Sequence, residues 1–443
     1  MLHKRTKEYA AELARLIRIE TVSVDNQTDL SKFYELQDLL RELFPELFSV
    51  VDAEDFDGSM LLRWKGTGDG DPLLLMNHHD VVEAPGEWRY PPFSGQLAED
   101  KVWGRGTLDT KGGLWAMMRA ANELVRDGYV PTRDVYFLST RNEEEDGAGA
   151  DRISLELAAR GVRFFMVLDE GGMILEEPIG GAKGTFALVG VGEKGCADLK
   201  FVARSLGGHA ATPGKNTPLV RLGKFMTAVE RSRIFKSEIS PAVSDMLCAL
   251  GKTMKPPLSW VLSHPRLFKP VLKTAMPIIS NVSGAMLKTT VAFTMAYGSE
   301  GINVLPQEAW VMGNMRFSHH QGGKASIEAI AKLAKKFDIE TEILDPGMET
   351  PLSDHHSEAF ELVRRTVDKT FDGYVTAPYV MTAASDSRYM NRVSDNCLRF
   401  TPFLIDEDQM ESIHGLNENV NISTLAPAVD FYKNLIIEVN DAK

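Results

Sequence analysis

The sequence predicts an α/β protein in which one α/β domain is interrupted by an inserted α+β domain. Three observations predict it. Short continuous apolar runs alternate with helix-period segments from about residue 60 to 190; half-exposed strands replace them from about 193; the helix–strand texture returns after about 350. Continuous apolar runs mark strands buried on both faces, which need helices above and below them. The expected boundaries are 1–192 and 348–443 for the two parts of the first domain and 193–347 for the inserted, lid-like domain.

The elements follow in order. Leu13, Leu16, Ile17 and Ile19 give an amphipathic N-terminal helix. His3, Lys4 and Arg5 lead into it with no apolar stretch, so no secretory signal is expected. Leu73–Met76, Val135–Thr140 and Phe164–Leu168 read as buried strands. Between the first two, Leu114, Met117, Met118, Ala121, Leu124 and Val125 recur at helical spacing, and Gly128 stands where a helix-ending glycine would. In the insert, Ala197–Arg204, Val291–Tyr297, Ala309–Phe317 and Ile339–Leu344 read as strands, with helices at Pro218–Val229 and Lys324–Phe337. That order predicts a small antiparallel sheet with helices on one face. The stretch from Pro241 to Thr290 fits neither template and reads as an added lid or interface segment. Ser357–Phe371 is helical, Cys397–Pro402 strand-like, and Leu425–Val439 a closing helix.

Composition excludes several partners. A net charge of −13 repels phosphate backbones, so no nucleic acid is expected. The longest apolar runs are strand-sized, so no membrane partner is expected. Cys196, Cys248 and Cys397 are too scattered for a disulfide framework and read as reduced thiols in a cytoplasmic protein.

Chemistry-bearing residues stand at the ends of the predicted strands, where α/β sheets bind ligands. Asn77-His78-His79-Asp80 follows the first strand. Strand alternation puts His78 and Asp80 on one side, His78 as a metal ligand and Asp80 as the group orienting its ring. Gly104-Arg105-Gly106-Thr107-Leu108-Asp109 presents Asp109 from a tight loop, and its two oxygens suit a bridge between cations. Glu143-Glu144-Glu145-Asp146 follows the second strand; adjacent carboxylates there can divide metal binding from proton transfer. Asp169-Glu170 follows the third, and His414 lies in Ser412-Ile413-His414-Gly415. A His/Asp/Glu set without cysteine suits two divalent ions, zinc first, with cobalt or manganese also possible.

In order along the chain, His78-x-Asp80-Val81-Val82, Gly104-Arg105-Gly106 with Asp109-x-Lys111, Glu144-Glu145-x-Gly147, Asp169-Glu170-Gly171-Gly172 and His414-Gly415-x-Asn417-Glu418 resemble the motifs of the M20 metallopeptidases. The resemblance implies a zinc-peptidase-type α/β catalytic domain with an inserted lid that often dimerises. It assigns His78, Asp109 and Asp169 (or Glu170) to one metal, and Asp109, Glu145 and His414 to the other. Glu144 falls on the family's general base and Asp80 on its orienting carboxylate. Asp169 is favoured over Glu170 because it follows the strand immediately. His209 in Gly207-Gly208-His209-Ala210, Asn303 and Arg316 resemble lid residues that meet substrate, although Asn314 stands where Asp often precedes that arginine. Arg388 resembles an arginine that grips a substrate carboxylate. Trp88, Pro91-Pro92-Phe93-Ser94-Gly95 and Leu168-Asp169-Glu170-Gly171-Gly172 resemble the carboxypeptidase S and N-acyl-amino-acid hydrolase branch. The implied reaction is cleavage of an amide or peptide bond beside a free carboxylate. Substrates would be a small peptide or, as the alternative, an N-acyl amino acid. A non-catalytic binding protein on the same scaffold and a two-metal phosphoesterase are weaker readings, because the ligands are intact and no basic phosphate clamp is evident.

Overall fold

The computed structural model describes residues 2–441 except Asp25, with side chains from Lys4 onward. Its centre is a ten-stranded mixed sheet. Leu73–His78 runs through the middle, parallel to Val135–Thr140 on one side and to Met166–Asp169 on the other. Cys397–Arg399, from the far end of the chain, adds a further parallel strand beside Met166–Asp169. Every residue of Leu73–His78 and Val135–Thr140 is buried, as their continuous apolar runs require.

Helices cover the sheet. Lys111–Arg126 and Ile422–Asp441 pack against each other on one face, and Leu2–Ile17 packs on both. Lys111–Arg126 lies close to the sheet because Gly113 carries no side chain: a Cβ there would stand 2.4 Å from Asn77 Oδ1, on the strand that ends in His78. Ala148–Ala159 and Ser387–Met390 cover the other face, around Leu74, Met76, Leu138 and Val167.

A second sheet of four antiparallel strands takes in Gly195–Arg204, Thr290–Tyr297, Glu308–Phe317 and Glu340–Asp345. Pro218–Arg231 and Gly323–Lys335 pack on it, and its own core contains Leu199, Phe201, Phe225, Val311 and Ile330. The stretch 241–287 departs from this unit. It forms four short helices whose buried residues, Val243, Leu247, Leu262, Leu272 and Met276 among them, join the core of the large sheet. Pro241–Gly251 packs on strand Val375–Met381. The run 193–347 thus feeds two cores, because its middle is apolar enough to dock on the neighbouring sheet.

One hairpin escaped the pattern reading. Val51–Phe56 and Ser59–Trp64 pair antiparallel at the sheet edge through Asp57-Gly58, both with positive φ. Asp-Gly is a strong hairpin signal, but the first strand is exposed and polar and shows no apolar alternation.

Candidate metal centre

The carboxyl ends of the parallel strands converge on one point. His78 ends its strand in register with Thr140 on the neighbouring strand, which leads directly into Glu143 and Glu144. The His78 ring is buried; its Nδ1 donates to Asp80 O at 3.0 Å and lies 3.3 Å from Asp80 Oδ1. That bond fixes the tautomer and leaves Nε2 facing Asp109 Oδ1 at 3.0 Å. Asp109 Oδ2 lies 3.0 Å from His414 Nε2, which is also 3.0 Å from Glu144 Oε2. Asp109 therefore offers one oxygen to each histidine. Ligand atoms of His78, Asp109 and Glu144 all lie within 4.8 Å of one another.

Two buried carboxylates hold this arrangement without joining it. Asp80, fully buried, accepts from Ser23 Oγ at 2.8 Å, Glu143 N at 3.2 Å and Glu144 N at 3.1 Å, so it fixes the acidic loop as well as the imidazole. Glu418, also fully buried, accepts from Arg105 Nη1 at 2.8 Å, Leu108 N at 2.8 Å and Asp109 N at 3.2 Å. It pins the loop that presents Asp109. In the sequence Glu418 closes the motif His414-Gly415-x-Asn417-Glu418, a carboxylate four residues past the candidate ligand histidine.

The charge at the centre is unbalanced. Burial, then the nearby negative groups, push the carboxyls of Glu143 and Glu170 well above their usual range. Burial and Asp109 push Glu144 up in the same direction. The Asp386 carboxyl rises to about 7 through burial, with Asp169 and Asp80 adding to it. His414 is held up to about 10 by its hydrogen bonds to Asp109 and Glu144. Burial disfavours the charged ring of His78, but Asp109 and Asp80 outweigh it and raise its pKa. A cation among these carboxyl groups would favour their charged forms. A neutral His78 with Nδ1–H would point a lone pair at a carboxylate oxygen, which is unfavourable unless a cation sits between them. The donor set fits divalent metal.

The side chains that come together differ from the expected set: Glu144, the expected base, joins His78 and Asp109, and Glu145, the expected ligand, is exposed. The cause is Asp80, which binds the main-chain N–H groups of Glu143 and Glu144 and sets which side chains turn inward. Glu143 takes the inner position beside Glu144, with Arg388 Nη1 3.9 Å from its Oε1. Asp169 likewise turns away: its Oδ2 accepts from Ser387 N at 2.8 Å, while Glu170 lines the cavity. Strand alternation reverses the two, so following the strand immediately counts against Asp169.

That cavity has a volume of about 390 Å³ and opens beside Asp109, Glu143, Glu144, Glu170 and His414. Its far wall is apolar, with Met173, Met381, Phe403, Ile405 and Met410. Arg388 is not on its wall; it stacks on Tyr389 and lies 3.4 Å from Asp146 O. His209 and Asn303 are exposed on the small sheet's side of the molecule, on two short strands that pair with each other or adjoin that pairing. Ala210 N donates to Asn303 O at 2.9 Å. Arg316, in the four-stranded sheet, donates to Asn314 Oδ1 at 3.1 Å. None of these three lines the cavity.

Two histidines about a central aspartate at the carboxyl edge of an α/β sheet make a candidate metal centre of the kind hydrolases carry. Residues 74–438 match the model of the peptidase family M20/M25/M40, and the chain belongs to that family. It is 30% identical to the human N-fatty-acyl-amino acid synthase/hydrolase PM20D1, over 95% of this chain and 85% of the relative. It is 28% identical to carboxypeptidase S of Saccharomyces cerevisiae, over 97% and 84%. Among solved structures, the M20 family metallo-carboxypeptidase Sso-CP2 from Sulfolobus solfataricus superposes with a TM-score of 0.72 at 16% identity, covering 98% of this chain and all of that one. Human carnosine dipeptidase 1 follows at 0.69 and 13%, covering 100% and 98%. The chain is a hydrolase on the M20 scaffold. No helix among the described residues is long and apolar enough to cross a membrane.

Proposed function

We propose that this chain hydrolyses an amide or peptide bond beside a free carboxylate, with two divalent metal ions, zinc first, as cofactors. The observation that carries the reading is Asp109, which faces His78 with one oxygen and His414 with the other, each at 3.0 Å. His78, Asp109 and Glu170 would hold one ion; Asp109, Glu144 and His414 would hold the other. Bound metal supplies Lewis acidity and lowers the pKa of water toward neutrality.

The chain's own groups do the rest. Glu143 takes the proton from the attacking water and returns it to the leaving amine. Its burial beside Glu144 and Glu170 keeps its proton affinity high, which suits a group that must both accept and release a proton. Asp80 keeps His78 in the ligating tautomer and holds Glu143 in place. His209, Asn303 and Arg316 meet the substrate on lid closure or across a homodimer formed through the small sheet. Arg388, beside Glu143, positions that carboxylate in preference to gripping substrate.

A second reading is favoured by the cavity. Met173, Met381, Phe403, Ile405 and Met410 suit an apolar acyl group better than a polar side chain, which favours N-acyl amino acids over dipeptides. The wall is built by the catalytic sheet and its loops; the 241–287 stretch contributes none of it. Paired assays with a dipeptide and a long-chain N-acyl amino acid decide between the substrates. Failure of both in metal-loaded protein would sink the hydrolase reading.

A further inference from the structure

The stretch from Met246 to Ser299 contains six Lys and Arg and no Asp or Glu, in a chain whose net charge is −13 with 62 acidic residues. The six are Lys252, Lys255, Arg266, Lys269, Lys273 and Lys288. Lys269 and Lys273 pair with Glu238, the latter at 3.1 Å. The other four have no carboxylate within ion-pair distance among the described residues. The same stretch exposes large apolar side chains: Trp260 at 54%, Leu267 at 66%, Val271 at 57%, Ile278 at 81%, Ile279 at 71% and Val282 at 61%. Its helices are anchored from below, with Leu262, Leu272 and Met276 in the catalytic core. The apolar outer residues are therefore presented by a fixed surface.

We infer that this insert docks the enzyme on an anionic lipid bilayer. Exposed aliphatic side chains and a tryptophan on the same anchored stretch as unpaired lysine and arginine are what an interfacial segment needs: the former enter the headgroup boundary and the latter face lipid phosphates. Charge complementarity argues against a second copy as the occupant, because two faces of the same positive sign would meet. An acidic protein that satisfied the charges would also need an apolar patch shaped to cover Ile278 and Ile279, whereas a bilayer takes in both without shape complementarity. The strand-sized apolar runs bear on spanning a bilayer; a peripheral contact needs no longer run. The insert packs on Val375–Met381, whose Tyr379 and Met381 line the cavity, so docking would bring the cavity near the layer where amphiphilic molecules reside.

The test uses the full chain and vesicles of equal parts phosphatidylcholine and phosphatidylglycerol. Cosedimentation with these vesicles, and little with pure phosphatidylcholine, is expected. The double change Ile278→Ser, Ile279→Ser should lower partitioning about tenfold or more, with hydrolysis of a water-soluble substrate and melting temperature unchanged. Lys255→Gln with Arg266→Gln should lower binding to the anionic vesicles alone. No vesicle binding by the unaltered chain overturns the inference. So does equal retention of the Ile variant, or binding to duplex DNA as strong as to vesicles, which would assign the face to charge only. Loss of self-association in the Ile variant without loss of vesicle binding would assign the face to a second copy.

Discussion

Changing Glu143 to Gln separates the register proposed here from the one the motif spacing predicts. The substitution keeps shape and removes the proton acceptor. Removing a general base costs 10²–10⁴ in rate, or about 2.7–5.4 kcal/mol of transition-state stabilisation at 1.36 kcal/mol per decade. The structure predicts that this loss comes without unfolding. Among the described residues Glu143 has one ion contact, to Arg388 at 3.9 Å; burial disfavours its charge and Asp386, Glu170 and Glu144 add to that, outweighing His78. A neutral glutamine relieves that repulsion, so the melting temperature of metal-free protein should hold or rise. The assay is kcat on an amide substrate together with metal content by elemental analysis, for Glu143→Gln, Glu144→Gln and Glu145→Gln in parallel. The first should keep metal and lose activity; the second should lose metal; the third should stay near the parent. If Glu145→Gln sheds metal while Glu144→Gln keeps it and is inactive, the reasoning from Asp80 and the loop is refuted.

Other outcomes follow from the same geometry. Because His414 is raised to about 10 in the bare protein, protons compete with metal across the neutral range, so apparent metal affinity should climb with pH from 6 to 8; titration in weak-chelator buffers checks this, and a flat profile would contradict it. In metal-free protein the sign for stability is opposite. The raised His414 pKa contributes stability below about pH 6.5 that is lost as pH rises toward 10, read as a falling denaturation midpoint. Asp80→Asn keeps the main-chain acceptor of His78 but removes the negative charge and one of the two side-chain oxygens that face the loop and the imidazole, and should weaken metal binding about 10–100-fold, measured by competition with a chelator. Glu418→Ala leaves Arg105 buried without its partner and should destabilise the fold by about 3–5 kcal/mol, measured by denaturant unfolding. Met381→Gln should raise KM for a long-chain N-acyl amino acid more than for a dipeptide; equal effects would remove the cavity from acyl recognition.

Much of the molecule is legible in one dimension because the signals are local. Leu73–Met76 and Val135–Thr140 are apolar runs of strand length, and chemistry begins where each run stops, so His78 and the Glu143–Glu145 run stand out without coordinates, while Asp109 and His414 take their candidate roles from the motif resemblance. Residues whose roles depend on facing direction were not legible in the same way. A run such as Glu143-Glu144-Glu145 has no period, and each member has the same propensity. The Val51–Phe56 strand was missed for a related reason: its residues are polar, and only its pairing with Ser59–Trp64 makes it a strand.

The sequence by itself determined the α/β class, and it supplied the expected return of the chain to the first sheet and the inventory of candidate ligand side chains. Tertiary structure decided which members of that inventory face inward. Asp80 binds the N–H groups of two successive glutamates and so selects Glu144 for the cluster. Ser387 captures Asp169 and leaves Glu170 to the cavity. Both choices turn on hydrogen bonds between segments 63 and 218 residues apart, and a carboxylate's direction is set by the donor that reaches it, whatever its neighbours in sequence.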